Sequence, residues 1–279
     1  MTQPAAPKSE NAELVPFSGG SGYAPVLYPL IASIVLFAAW EAFARLGGVS
    51  PLILPTPSAI FSTTYDKLPL LLQMGWVTVV EFVLGFLLGV VVGLPLGALI
   101  VYSRPLELTI YPLLVAFQTI PKAALAPILI VWFGTGISSK ILIAFAISFF
   151  PIVVDTIIGL RSAQAETIHL ARSMGATPFQ IFWHVRLPNA LPTIFGGLKV
   201  ASTLAVIGAI VGEFVSSDKG LGYLVLVANG DLDTKLVFAC VLALTALGIV
   251  FFFLIEALER LFVGWHVSAR QAEAVSDSE

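Results

Sequence analysis

Hydrophobic residues along this 279-residue chain gather into long runs separated by short polar intervals. Six runs reach the roughly 20 residues that an α-helix, rising about 1.5 Å per residue, needs to cross about 30 Å of hydrocarbon. They fall at 26–46, 77–102, 106–132, 141–160, 196–215 and 236–258. No period-2 alternation runs through them, and backbone groups in lipid must be paired within the segment, so they predict helices rather than barrel strands. The pattern predicts an all-α membrane protein with six transmembrane helices over residues 26–265, between polar tails at 1–25 and 266–279. The first tail is rich in Pro, Ala, Ser and Gly and reads as disordered. No basic stretch leads into a short apolar core and cleavage site, so the first span, with Glu41 and Arg45 near its end, is expected to remain uncleaved.

Composition agrees: 58% of residues are hydrophobic and 11% charged, against about a quarter charged in soluble domains. The lipid bilayer is the expected surroundings. Cys240 is the only cysteine, which excludes an intrachain disulfide and a thiolate metal cage. A net charge of −3 with no basic run makes nucleic acid an unsuitable partner. An even number of spans puts both termini on one side. With the termini inside, cytoplasmic segments hold Lys8, Arg104, Arg161, Arg172, Arg186, Lys199, Arg260 and Arg270, whereas external segments hold Arg45, Lys67, Lys140, Lys219 and Lys235. The arginine bias favours cytoplasmic termini.

The interval 161–190, between the fourth and fifth spans, then faces the cytoplasm. Within it, AETIHLARSMGATPFQIFWHVRLP at 165–188 is polar and helix-patterned. Good helix formers run from Glu166 to Met174, and Gly175 supplies a stop where a left-handed residue is tolerated. Thr177-Pro178 reads as an N-cap followed by proline at the first helical position. Leu187-Pro188 is expected to end this second helix, because the residue before proline is pushed out of the helical region. Such a two-helix knob offers Ala171 as a flat spot that another protein can approach; the bland alternative is an amphipathic helix lying in the membrane surface.

Ala171, Gly175, Val185, Leu187 and Pro188 fall at the spacing A-x-x-x-G-x(9)-V-x-L-P. This resembles the cytoplasmic signature loop of bacterial ABC importer permeases. FQTIPKAALAPILIVWFG at 117–134, FFPIVVDTIIGL at 149–160 and GEFVSSDKGLGYL at 212–224 extend the likeness from about 70 to 265. The chain looks like the inner-membrane permease of the nitrate, sulfonate, taurine and pyrimidine-precursor branch of binding-protein-dependent importers. The resemblance implies a bacterial cell (inner) membrane location, a permease homodimer, two cytoplasmic ABC ATPase subunits and an extracytoplasmic substrate-binding protein. It implies that Glu166, His169, Ala171, Arg172, Gly175, Val185, Leu187 and Pro188 form the ATPase-coupling surface. One position departs from the family: six residues before Gly175, where glutamate is usual, stands His169, which offers a neutral or pH-sensitive hydrogen bond instead of an ion pair.

The third span carries Pro112, Pro121 and Pro127, each removing a backbone donor from a helix in lipid, with Gln118 and Lys122 beside the central one. An ionisable residue within a span costs roughly 2.5–3.5 kcal/mol, so these groups should face a protected interior. Gln118, Pro121 and Lys122 are therefore read as lining a translocation path, with Lys122 available to an anion; the alternative is a lysine that snorkels to the headgroups. Glu81, Asp155 and Glu213 read as packing residues near span ends, and Glu256 and Glu259 are expected to pair with Arg260. Gly85, Gly89, Gly93 and Gly97 line one helix face, as do Gly197, Ala201, Ala205 and Ala209; such stripes serve packing within the monomer, a dimer seam or a moving contact.

No G-x-x-x-x-G-K-[ST] phosphate loop occurs, and His169, His184 and His266 are too scattered for a metal site. No catalytic residue, metal site or cofactor is expected on this chain, with ATP held by a partner subunit. The expected function is the permease of an ATP-driven importer for a small anionic or heterocyclic organic solute. The alternative is a self-contained secondary transporter or channel, which would need inverted repeats and paired broken helices that the sequence does not display.

Overall fold

The computed structural model describes residues 24–264, with side chains from Leu27 onward, and every regular element among them is helical. The expected tails therefore lie outside the described residues, apart from Ala24 and Pro25, which begin α1. In chain order the helices are α1 Ala24–Leu46, α2 Pro57–Asp66, α3 Leu68–Tyr102, α4 Arg104–Gln118, α5 Ala126–Phe133, α6 Ile137–Arg161, α7 Ala165–Ser173, α8 Pro178–Ile181, α9 Leu187–Ser216, α10 Leu221–Gly230 and α11 Thr234–Phe262.

Five of these are long and apolar enough to cross a membrane unaided: α1, α3, α6, the run containing α8 and α9, and α11. The third span, expected as one helix over 106–132, is broken instead. α4 stops at Gln118, a 3-10 turn covers Lys122–Leu125, and α5 leaves at 92° to α4. Proline chemistry causes the break. Pro121 has no N–H to continue the ladder and adopts an extended conformation, and the backbone ahead of it tightens as Thr119 donates to the Ala116 carbonyl and Ile120 to that of Phe117. Pro127 then sits in the first turn of α5, where its missing N–H is harmless.

α6 is the centre of the bundle, with α3 on one side and α9 on the other. Small residues decide how near they come. Ala144 of α6 is wholly buried between Gly85 of α3 and Gly208 of α9. A Cβ added to Gly85 would lie 2.5 Å from the Ala144 Cβ, and one added to Gly208 2.5 Å from the Ala144 Cα. Gly89 and Gly93 meet Ile152, and Gly97 meets Thr156. The α3 glycine stripe thus packs the monomer backbone to backbone, where dispersion between close helices replaces the hydrophobic force that lipid does not supply. Ala201, Ala205 and Ala209 of α9 are fully buried in the same core. α11 closes the bundle through Phe251, whose ring lies 5.0 Å from that of Phe82 and 5.2 Å from that of Phe86.

α1 stands at the edge, with Leu30, Ile34, Val35 and Leu36 exposed. Its end is stitched to α2 by Glu41, which accepts from the Ser58 N–H at 3.0 Å and the Ser58 hydroxyl at 2.8 Å and pairs with Arg45. α2 begins like α8, with a threonine cap and then proline: Thr56 accepts from the Ala59 N–H. Ion pairs gather at the opposite end of the bundle: Glu107 binds Arg104 at 2.8 Å and Arg161 at 2.7 Å, and Arg260 pairs with Glu256 at 2.6 Å. Glu259, expected on Arg260, faces α9 instead and holds Lys199 at 2.6 Å, because only Glu256 has the i,i+4 spacing to Arg260.

Candidate functional site

The link between α6 and α9, residues 162–186, is built on two hydrogen-bonded caps. α7 ends in a Schellman motif: Gly175 has φ +83°, its N–H donates to the Arg172 carbonyl at 3.0 Å, and the Ala176 N–H reaches back to the Ala171 carbonyl at 3.0 Å. This gives the A-x-x-x-G spacing a geometric meaning, since Ala171 and Gly175 belong to one cap. The reversal that follows is fixed by a capping box, in which Thr177 Oγ1 accepts from the Gln180 N–H and Gln180 Oε1 accepts from the Thr177 N–H.

The second helix does not stop at Leu187-Pro188. α8 passes into a π-helical turn over Phe182–Arg186, where the Leu187 N–H bonds to the Phe182 carbonyl five residues back, and runs on into α9. The wider turn changes the ladder where Pro188 has no donor, leaving the proline in the first turn of α9, where it is tolerated. The structure thus sets the short helix as a continuous extension of a membrane span.

That extension is pinned by rings. Tyr102 at the end of α3 meets Phe182 edge-on at 5.6 Å and lies under the Arg186 guanidinium at 5.4 Å. Leu170 and Met174 at the end of α7 are exposed, and so are Phe179 and Trp183, which line an apolar groove with Pro95, Ala98 and Leu99 of α3. Glu166, His169 and Arg172, at three-residue intervals on α7, are exposed too. Val185 and Pro188 line a groove of about 490 Å³ together with Gln164, Thr167 and His184. Leu187 turns inward and packs on the core.

At the broken span, Gln118 and Lys122 line one cavity of about 360 Å³ with Phe150, Asp155 and Leu204, whereas Pro121 contributes the break rather than a wall. Lys122 Nζ sits 4.9 Å above the Phe150 ring and 3.5 Å from the Gln118 carbonyl oxygen at the end of α4, where a cation complements the helix dipole. Asp155 of α6 was expected to be a packing residue. Its carboxyl group does press on the α9 backbone at Gly197, but it also joins the cavity wall.

A third polar cluster lies toward the opposite end of the bundle, fully buried. Thr78 Oγ1 donates to Glu213 Oε1 at 2.6 Å and accepts from the Leu221 N–H at 2.9 Å, while Glu213 Oε2 accepts from the Gly222 and Tyr223 N–H groups. α3 and α9 therefore cap the N-terminus of α10. Beside them Glu81 faces Lys140 at 3.8 Å. Here the packing role expected of Glu81 and Glu213 is what the geometry shows.

A family model described as "Binding-protein-dependent transport system inner membrane component" matches residues 85–263. The chain belongs to this family of ABC importer permeases. It is 38% identical over 242 residues to a "Probable ABC transporter permease protein" of Haemophilus influenzae, covering 87% of this chain and 98% of that protein. It is also 38% identical over 240 residues to the "Formylaminopyrimidine transport permease protein ThiX" of Halalkalibacterium halodurans, covering 86% and 96%. Other relatives are named as permeases for riboflavin, aliphatic sulfonates and taurine. Among solved structures, an inward-facing MetNI methionine ABC transporter superposes with a TM-score of 0.58 at 25% identity, over 67% of this chain and 93% of that one. The protein is thus a multi-pass membrane permease of the ABC importer class, and the family implies an ATPase and a substrate-binding protein as its companions.

Proposed function

We propose that this permease passes a small organic solute inward through a path that includes the Gln118–Lys122 break, and that residues 161–190 couple the path to a cytoplasmic ATPase. In this reading both termini are cytoplasmic, two copies of the chain form the pore, and the chain binds no cofactor, with ATP on the partner subunit. Glu166, His169, Ala171, Arg172 and Gly175 on the α7 side, with Val185 and Pro188 along the adjoining groove, make the coupling surface. Leu187 serves it from inside as an anchor.

The observation that carries the reading is the doubly capped knob, with exposed Leu170 and Met174 at the end of α7 and exposed Phe179 and Trp183 on the extension of a membrane helix. Exposed apolar side chains in a polar segment suit a protein partner. Continuity with α9 supplies a rigid lever, because motion imposed on α8 is carried along the span through the π turn.

The path is tested by Lys122→Met, which keeps the length and removes the charge. Uptake in cells should fall while membrane levels of the protein and its co-purification with the ATPase persist. Undiminished uptake would leave Lys122 as a snorkelling residue outside the path.

A further inference from the structure

The cavity at the broken span carries two opposite charges on its walls, and we infer that it is a subsite for a net-neutral solute with a donor or cationic group at one end and an acceptor or anionic group at the other. The inference rests on the permease reading and names the class of solute that the path accepts.

Lys122 alone favours an anion. It is not alone: Asp155 lies on the same lining, and no ion pair joins the two. The lysine is held from behind by the Phe150 ring and the Gln118 carbonyl, so its position is set while its charge is not neutralised by a carboxylate. Asp155 has no hydrogen-bond or ion-pair partner among the described residues. Its seat is cut by Gly197, since a Cβ there would lie 2.5 Å from Asp155 Oδ2. Any side chain on α9 at this position would displace the carboxylate.

An ammonium offers only donors and a carboxylate only acceptors, so the pair demands complementary groups on one ligand. A net anion drawn to Lys122 would meet repulsion from Asp155, and a net cation the reverse. The rest of the lining, Ile147, Phe150, Pro151, Val154 and Leu204, is apolar and suits a flat ring or a short carbon chain, with the Gln118 amide able both to donate and to accept. A volume of about 360 Å³ falls at the small end of ligand pockets, which run from about 300 to 1,000 Å³. A zwitterion such as taurine, or an amino-substituted pyrimidine, has the required polarity; a simple alkanesulfonate does not.

The test places a single cysteine on the lining, Leu204→Cys in a Cys240→Ala background, in the permease–ATPase complex reconstituted in lipid. Val154→Cys serves as a second position should the first variant fail to assemble. The rate of modification by N-ethylmaleimide, an uncharged reagent, is measured alone and with taurine, formylaminopyrimidine or ethanesulfonate. Taurine and formylaminopyrimidine should slow modification, about tenfold at roughly ten times their Kd, and ethanesulfonate should not. Asp155→Asn should abolish the protection by taurine. If neither cysteine is modified, the cavity is not on a water-accessible path and the path reading falls with the inference. If modification occurs but ethanesulfonate protects as well as taurine, if neither neutral probe protects, or if Asp155→Asn keeps the protection, the solute class is wrong while the path reading stands.

Discussion

Gly175→Val isolates the geometry of the α7–α8 knob from everything else in the protein. Gly175 holds φ +83° and has open space around it, with no atom within 4 Å of where a Cβ would be. The substitution therefore meets no clash with a neighbour, and its whole cost is conformational. A β-branched residue forced into the left-handed region costs about 1–3 kcal/mol. That energy sits on two hydrogen bonds, from Gly175 to the Arg172 carbonyl and from Ala176 to the Ala171 carbonyl, so the Schellman cap opens first. If only the capped form docks, the apparent affinity for the ATPase falls with the capped fraction, by at most about 5- to 150-fold over that range, the limit reached when the cap is only marginally stable. Gly175→Asn is the control, because asparagine visits the left-handed region and should lose far less. Co-purification of the ATPase with each membrane-extracted variant, together with solute-stimulated ATP hydrolysis in proteoliposomes, reads the effect. Valine and asparagine variants that both match the wild type would refute the claim that this cap shapes the docking surface.

Three further outcomes follow from the packing. Gly85→Ala puts a methyl group against Ala144 and should cost about 1–3 kcal/mol, lowering the thermal inactivation midpoint, with partial recovery in the double variant Gly85→Ala/Ala144→Gly because the Ile141 carbonyl remains close. Thr78→Val strands the Leu221 N–H and one Glu213 oxygen, about 1–3 kcal/mol each, whereas Thr78→Ser keeps the hydroxyl and should melt near the wild type. Lys140→Met leaves Glu81 without its buried counter-charge and should destabilise the permease by about 3–5 kcal/mol, read as loss of monodisperse protein after detergent extraction.

The sequence showed which segments are long and apolar enough to cross the membrane, because about 20 consecutive apolar residues leave few alternatives. It did not show where the helices end. α3 starts at Leu68 rather than 77 and α9 at Leu187 rather than 196, since a helix continues beyond the bilayer wherever neighbours pack on it. Pro121 flagged an anomaly in the third span, but hydropathy does not register a bend of 92°. α2 and α10 are too short for a span-length criterion; Thr56-Pro57 carried for α2 the same capping signal that was read at Thr177-Pro178. Gly175 was legible from its type and place, and the structure adds its partner, the Ala171 carbonyl. The contact of Thr78 with Glu213 joins residues 135 positions apart, and the shared cavity of Lys122 and Asp155 depends on the bend; no local period signals either.

The coupling claim is tested most directly by cross-linking. In a Cys240→Ala background, single cysteines at Arg172 on α7 and at Lys219, before α10, are treated with a short bifunctional thiol reagent in membranes containing the ATPase. The account predicts a permease–ATPase adduct from Arg172→Cys that weakens when Gly175→Val is added, and none from Lys219→Cys. An adduct from Lys219→Cys, or none from Arg172→Cys in a complex that still transports, would contradict both the orientation of the chain and the role of residues 161–190.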